Sequence, residues 1–337
     1  MKKSTVVAVT LLIIGAITFA ACAPAAPAAP AEEAVAVEEE AAPAEEPIKL
    51  VLARVGGDPF YKTVECGALA EAERLGVELQ VQSMANFEVA EQTRVLDAII
   101  QTKPDAIITA PVEPIGVAPV FERILEAGIT IVTYDTRLDD TSLTQAEVIT
   151  DNFEQGKLAA QALAEAIGET GKVFILSDTP GIYTTEQEQL GFEEEIQKYP
   201  NIEYLGTEFH NNDQMRGAEI VNSKLVAVPD LAGIFATNTF GSIAVAAALR
   251  ESGKVGDVKV VAYDTPQEII DGLKEGVFQA VLAYEAYKEG VLAVQAAVNL
   301  VKGEPVEKLQ MVGNVVITLD NVDDPDLAYL RYVDECN

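Results

Sequence analysis

The sequence predicts an α/β protein built from two Rossmann-like, doubly wound lobes with parallel sheets. Short apolar runs alternate with helix-period segments from Ile48 onward, ten such runs qualify as strands, and polar and aromatic residues recur just after those runs. The strand candidates are Ile48–Val55, Val77–Ser83, Asp105–Thr109, Thr130–Tyr134, Val173–Ser177, Glu203–Thr207, Leu231–Ala236, Lys259–Tyr263, Gln279–Tyr284 and Val315–Leu319. Between them lie amphipathic stretches such as Thr63–Leu75 and Val89–Gln101. Gly76, Gly128, Gly253 and Gly276 follow helical stretches as C-terminal signals. Asp213 is placed to cap a helix after His210-Asn211-Asn212, and Asn152 to cap one after Asp151. Ten strands suit two open sheets better than one. The competing closed eight-fold barrel usually occupies about 250 residues.

The segment ahead of this body reads as an address. Lys2 and Lys3 precede an apolar run from Val6 to Ala21, a secretory layout too short for the ~20 residues a spanning helix needs. Phe19-Ala20-Ala21-Cys22 resembles a bacterial lipoprotein box, with Phe19 in place of the usual Leu. It implies a signal over 1–21 and lipidation of Cys22; the alternative is ordinary cleavage after Ala23. Residues 23–47 contain only Ala, Pro, Glu and Val, so 22–47 is expected to be an extended, self-repelling tether.

Charge excludes other partners. The whole chain carries 54 acidic and 23 basic side chains, a net charge of −31. A chain this anionic has no surface to offer nucleic acid. Three Cys and the single His210 leave too few ligands for a zinc cluster and no spare base for a hydrolase triad. Asp139-Asp140 and Asp323-Asp324 lack the ligand spacing of a calcium loop and read as solvated turns. No G-x-G-x-x-G, phosphate loop or G-x-S-x-G elbow appears, so neither a cofactor nor a metal is expected.

In open parallel sheets the ligand site gathers at the carboxyl ends of the strands. Here those positions hold Gly56-Gly57-Asp58-Pro59-Phe60-Tyr61, Asp135-Thr136-Arg137, Asp178-Thr179, Asn238-Thr239, Asp264-Thr265 and Glu285. Donors, acceptors and aromatic faces together suit a small polyhydroxylated ligand.

These residues carry a resemblance. Asp58-Pro59-Phe60-Tyr61 with Gly67 and Leu75-Gly76-Val77, Thr133-Tyr134-Asp135, Thr150-Asp151-Asn152 with Gly156, Gly191-Phe192, Asn238 and Tyr263-Asp264 stand in the order found in type I periplasmic solute-binding proteins. The chain resembles the ribose/galactose-binding kind, the extracytoplasmic receptors of sugar ABC importers, over Ile48 to about Leu319. The resemblance implies three crossovers between lobes, with one lobe at 48–150 plus 285–313, the other at 151–284 plus 314–330, and a tail at 331–337. It implies sugar contacts from Asp135, Asp264 and Asn238, and a sandwich by Phe60 and Tyr61. Asp58, Arg137, Glu186, Glu188, Asn212 and Tyr284 complete the expected ligand set. Three departures concern the ligand: Thr136 stands where many relatives have Arg, Glu186-Gln187-Glu188 where close relatives show Arg, and Tyr284 where many have Gln. An acidic cleft would repel anions and accept a sugar, a polyol or an amino sugar.

Cys66 and Cys336 are expected to pair in an oxidising compartment, which would tie the tail to the first lobe with on the order of 4–5 kcal/mol of loop-closure stabilisation. The competing expectation is a buried free thiol and a frayed tail. The function expected is a non-enzymatic, monomeric, lipid-anchored binding component that delivers its sugar to the transmembrane subunits of an ABC permease. The alternatives are a sensory receptor for chemotaxis or a histidine kinase and, more remotely, a sugar-processing surface enzyme.

Overall fold

The computed structural model describes residues 47–336. The expected signal, the lipidation site Cys22 and nearly all of the tether lie outside these residues.

The first lobe is a six-stranded parallel sheet: β1 (Lys49–Val55), β2 (Glu78–Met84), β3 (Ala106–Thr109), β4 (Thr130–Tyr134), β5 (Ala146–Thr150) and β11 (Leu309–Val312), in the order β11-β5-β4-β3-β1-β2. The second is formed by β6 (Gly171–Ser177), β7 (Ile202–Phe209), β8 (Leu231–Ala236), β9 (Lys259–Tyr263), β10 (Ala280–Tyr284) and β12 (Asn314–Ile317), in the order β12-β10-β9-β8-β6-β7. Only β12 runs antiparallel to its neighbour. Central strands are buried on both faces, which is why they read as unbroken apolar runs; Leu52, Ile107, Ile131, Ile234 and Val261 are all fully buried.

Helices cover both sheets: α1 (Pro59–Leu75), α2 (Val89–Thr102), α3 (Ala118–Glu126) and α9 (Ala286–Val301) in the first lobe, and α4 (Asn152–Ala166), α5 (Tyr183–Ile196), α6 (Gln214–Ala227), α7 (Thr239–Ser252) and α8 (Gln267–Lys274) in the second. Local chemistry sets their ends. Asp58 caps α1 by accepting from the Phe60 N–H, Pro59 opens the helix, and Gly76 closes it in the left-handed region at φ 68°. Asp213 caps α6 as expected, accepting from the Met215 and Arg216 amides. The cap of α4 is Asp151, through the Glu154 amide, and not Asn152, because only the side chain one residue earlier can reach that N–H.

The chain crosses between lobes at Asp151, Glu285 and Gly313. These crossings are bonded to one another: Asn314 Nδ2 donates to the Asp151 carbonyl at 2.9 Å and the Gly313 N–H to Glu285 Oε2 at 2.7 Å. One helix pair in each lobe packs with almost no separation. A Cβ on Gly156 would sit 2.0 Å from the Glu188 carbonyl oxygen and one on Gly191 1.9 Å from that of Phe153, while Gly67 and Gly290 play the same part between α1 and α9.

Beyond the expected elements, the structure adds β5 and β11. It extends the first helix back to Pro59, and it ends the last strand at Ile317, not Leu319. Cys66 and Cys336 form a disulfide with their Cα atoms 5.1 Å apart.

Candidate ligand-binding cleft

The carboxyl ends of the two sheets face each other, and the side chains there come from matching positions. Tyr134-Asp135-Thr136 follows β4 and Tyr263-Asp264-Thr265 follows β9, each the fourth strand of its lobe in chain order. Both aspartates adopt left-handed backbone, at φ 62° and 70°, and both N–H groups donate to the next strand, Asp135 to Val148 and Asp264 to Leu282, at 3.0 Å. Asp58 after β1 is matched by Asp178 after β6.

Each carboxylate is already held by protein donors. Tyr61 Oη donates to Asp135 Oδ2 at 2.9 Å. Asp264 Oδ2 accepts from the Thr239 N–H at 2.9 Å and the Thr239 hydroxyl at 2.6 Å, and Oδ1 accepts from Tyr332 Oη at 2.8 Å. Asp178 accepts from the Thr179 hydroxyl and, at 3.0 Å, from Asn238 Nδ2. Asn238 also caps α7 through the Gly241 N–H at 2.7 Å and donates to Asn212 Oδ1 at 3.2 Å. His210, in the loop ahead of α6, is fully buried, with Nε2 3.1 Å from where a Cβ on Gly241 would lie; it supports the start of α7 from below.

Burial dominates the electrostatics. It raises Asp58 to about 6, with Asp264 and Asp178 adding repulsion against the Phe60 N–H, and it raises Asp135 to about 7, with Asp264 and Asp58 adding to it against the Tyr61 bond. Asp264 and Asp178 are pushed upward by burial as well. Carboxyls from both lobes thus share one poorly solvated space, where each disfavours its neighbour's charge.

Aromatic rings wall this space. Phe60 makes edge contacts with Tyr61 at 5.1 Å, Tyr284 at 5.7 Å and Tyr332 at 5.8 Å. The Phe60–Tyr284 contact joins α1 of the first lobe to β10 of the second. Glu188 is fully buried; its Oε1 accepts from Tyr263 Oη at 2.6 Å and Tyr284 Oη at 3.2 Å, and the two phenols are hydrogen-bonded to each other. Tyr284 Oη also reaches Asn152 Oδ1 at 3.2 Å. Asn152 therefore belongs to this buried network.

Asp58, Phe60, Tyr61, Asp135, Asp264, Asn238 and Tyr284 are brought together, with Glu188 behind them and Asn212 at the edge. Two expected residues are placed elsewhere. Arg137 pairs with fully buried Glu147 of β5 at 2.9 Å and lies over the Tyr183 ring at 5.7 Å, so its charge is neutralised within the protein. Glu186 is exposed in the first turn of α5, where its Oε1 accepts from the Gly181 N–H at 3.0 Å and the helix dipole favours a negative group. Asp178 and Thr239 were named among the strand-end positions but left out of the expected ligand set, and Tyr332 was not singled out. The repeated Tyr-Asp-Thr tripeptide and the Asp that follows the first strand of each lobe are the signals that would add Asp178 to the ligand set. No local pattern marks Tyr332.

Comparison with known proteins agrees with this geometry. Residues 48–305 match the family described as periplasmic binding protein domain. The ribose import binding protein of Bacillus subtilis is 26% identical over 74% of this chain and 80% of its own length. The D-ribose/D-allose-binding protein of Pseudomonas aeruginosa is 27% identical over 77% and 83%. Among solved structures, an ABC transporter solute-binding protein of Agrobacterium vitis bound with α-D-tagatopyranose superposes with a TM-score of 0.83 at 33% identity, covering 85% of this chain and 99% of its own. With two α/β lobes, a shared cleft and a family match over most of its length, the chain belongs to the periplasmic binding protein family in its two-lobed, type I form.

Proposed function

We propose that this protein is the extracytoplasmic substrate-binding component of an ABC importer, which encloses a sugar or sugar-like polyol between its lobes and delivers it to the permease. The observation that carries this reading is the convergence of Asp135 from one lobe with Asp264 and Asn238 from the other beside the Phe60 and Tyr61 rings. Carboxylates accept from sugar hydroxyls in strong charge-assisted bonds, and ring faces cover sugar C–H surface. A ligand held from both sides binds the closed form better than the open one, and that difference drives closure.

The relatives are named as binding proteins, which supports a role without catalysis. Anchoring through a lipid on Cys22, a tether over 22–47 and a monomeric state complete the proposal. The surplus of buried carboxyls over cations in the cleft extends the ligand class to amino sugars.

The test is calorimetry of the purified chain with D-ribose, D-allose, D-arabinose, D-tagatose, D-glucose and D-glucosamine, beside electron density for any ligand carried through purification. Saturable binding of a neutral sugar is expected. D-Glucosamine binding no better than D-glucose removes the amine extension, and no binding across the panel with an empty cleft refutes the sugar reading. Loss of uptake on deletion separates transport from sensing.

A further inference from the structure

The last residues of the described chain run from one lobe to the other beside the cleft. Leu330 is buried in the core of the second lobe, and its carbonyl accepts from the Thr265 hydroxyl. The Tyr332 N–H donates to the Thr265 carbonyl at 3.2 Å, still on the second lobe. One residue later the Val333 N–H donates to Thr63 Oγ1 of α1 at 2.9 Å, and Cys336 is bonded to Cys66, three residues further along the same helix. Both of these anchors belong to the first lobe.

Tyr332 lies between the two sets of anchors with its side chain turned inward. It is 8% exposed, its ring packs 5.8 Å from that of Phe60, and its hydroxyl holds Asp264 Oδ1. A carboxylate offers about four lone-pair sites. Thr239 fills two on Oδ2 and Tyr332 one on Oδ1, so a single direction remains from which a ligand hydroxyl can approach Asp264.

We propose that the C-terminal segment 330–336 is a fourth, covalently closed interlobe crossing, and that Tyr332 is a positioning residue that fixes Asp264 and so selects among sugar epimers. The disulfide is what makes the crossing permanent. Six extended residues span at most about 20–22 Å, so Leu330 stays within that distance of Cys336 however far the lobes swing. Without the bond the segment's hold on the first lobe falls to the Val333–Thr63 hydrogen bond and the Tyr332–Phe60 ring contact. The proposal rests on the sugar-binding reading for its selectivity, but not for the crossing itself.

Two measurements on the full chain test it, each on the native protein, Tyr332→Phe and Cys336→Ser. Hydrogen exchange without ligand should show the Tyr332 and Val333 amides at least 10-fold faster in Cys336→Ser, and the Thr239 amide faster in both variants. Rates within twofold of native overturn the crossing. Calorimetry with D-ribose, D-allose, D-arabinose and D-tagatose should show about 10-fold weaker binding in Tyr332→Phe, the scale of one hydrogen bond to a charged group, with altered ratios among the sugars. Equal weakening of all four overturns the selectivity role. If the native protein binds none of them, the sugar reading fails while the exchange rates still decide the crossing.

Discussion

Asp135 and Asp264 pay in backbone strain for their position, since both occupy the left-handed region that non-glycine residues seldom visit. In that conformation Asp135 accepts from Tyr61 and Asp264 from Thr239 and Tyr332 at the strand ends. The upward shift of Asp135 to about 7 and Asp58 to about 6 then gives binding a sign. Sugar hydroxyls donate to the ionised form, so the complex lowers these values, binding releases protons, and affinity rises with pH until it levels off above about 7. Calorimetry from pH 5 to 8 should show this rise, with a heat that depends on the buffer's ionisation enthalpy. Asp135→Asn should weaken binding about 10- to 100-fold, the cost of losing charge-assisted bonds, and flatten the profile above pH 6. The residues legible in the sequence were those fixed by local position after a strand. The pairing of Arg137 was not legible, because its partner, Glu147, lies on a strand that the apolar pattern did not reveal.

That strand, β5, is Ala146–Thr150 and has a carboxylate as its second residue; β11, Leu309–Val312, carries a polar Gln at its second position. Both fail as apolar runs because tertiary partners compensate their polar side chains or leave them at a sheet edge, which no local reading detects. The eight-residue β7 was found only over Glu203–Thr207, and no residue of this edge strand is fully buried. The helices were legible through their amphipathic period and through closing glycines such as Gly76 and Gly253, which sit in open space at positive φ; other glycines serve contact. At Gly191 a methyl group would lie 1.9 Å from the Phe153 carbonyl oxygen, inside any tolerable separation. Gly191→Ala should therefore force α4 from α5 and cost about 1–3 kcal/mol or more in denaturant unfolding. It should also weaken sugar binding, because Glu188 and Asn152, which flank the Tyr284 hydroxyl, sit on those two helices.

At the scale of the molecule, the two-lobed architecture was legible because repeated strand–helix alternation with ten strand candidates suits two parallel sheets, whereas of the tail's path only its tie to Cys66 was legible. Residues after Leu330 have no periodicity, and their course is set by Thr265, Thr63 and Cys66, far away in sequence. The acidity proved to be divided. Residues 48–337 still carry 47 acidic against 21 basic side chains, and a few of those acids form the cleft while many others pair locally with Lys or Arg on the surface.

The crossing at Glu285 also bears on the order in which the protein can be built. Helix α9, which packs on β3, β4, β5 and α1, is made only after nearly every strand of both lobes has been synthesised. A ribosome that has reached residue 284 has produced five of the six strands of the first sheet and three of the helices that cover it, but not α9. The face of β3, β4 and β5 that α9 covers therefore stays open until residues 286–301 emerge, a state suited to chaperone capture and to passage through a narrow channel. A fragment of residues 48–284 should be digested by protease at rates typical of unfolded chains, and adding a peptide of residues 285–337 should restore resistance. A protease-resistant 48–284 fragment would show that the first lobe closes without its last helix.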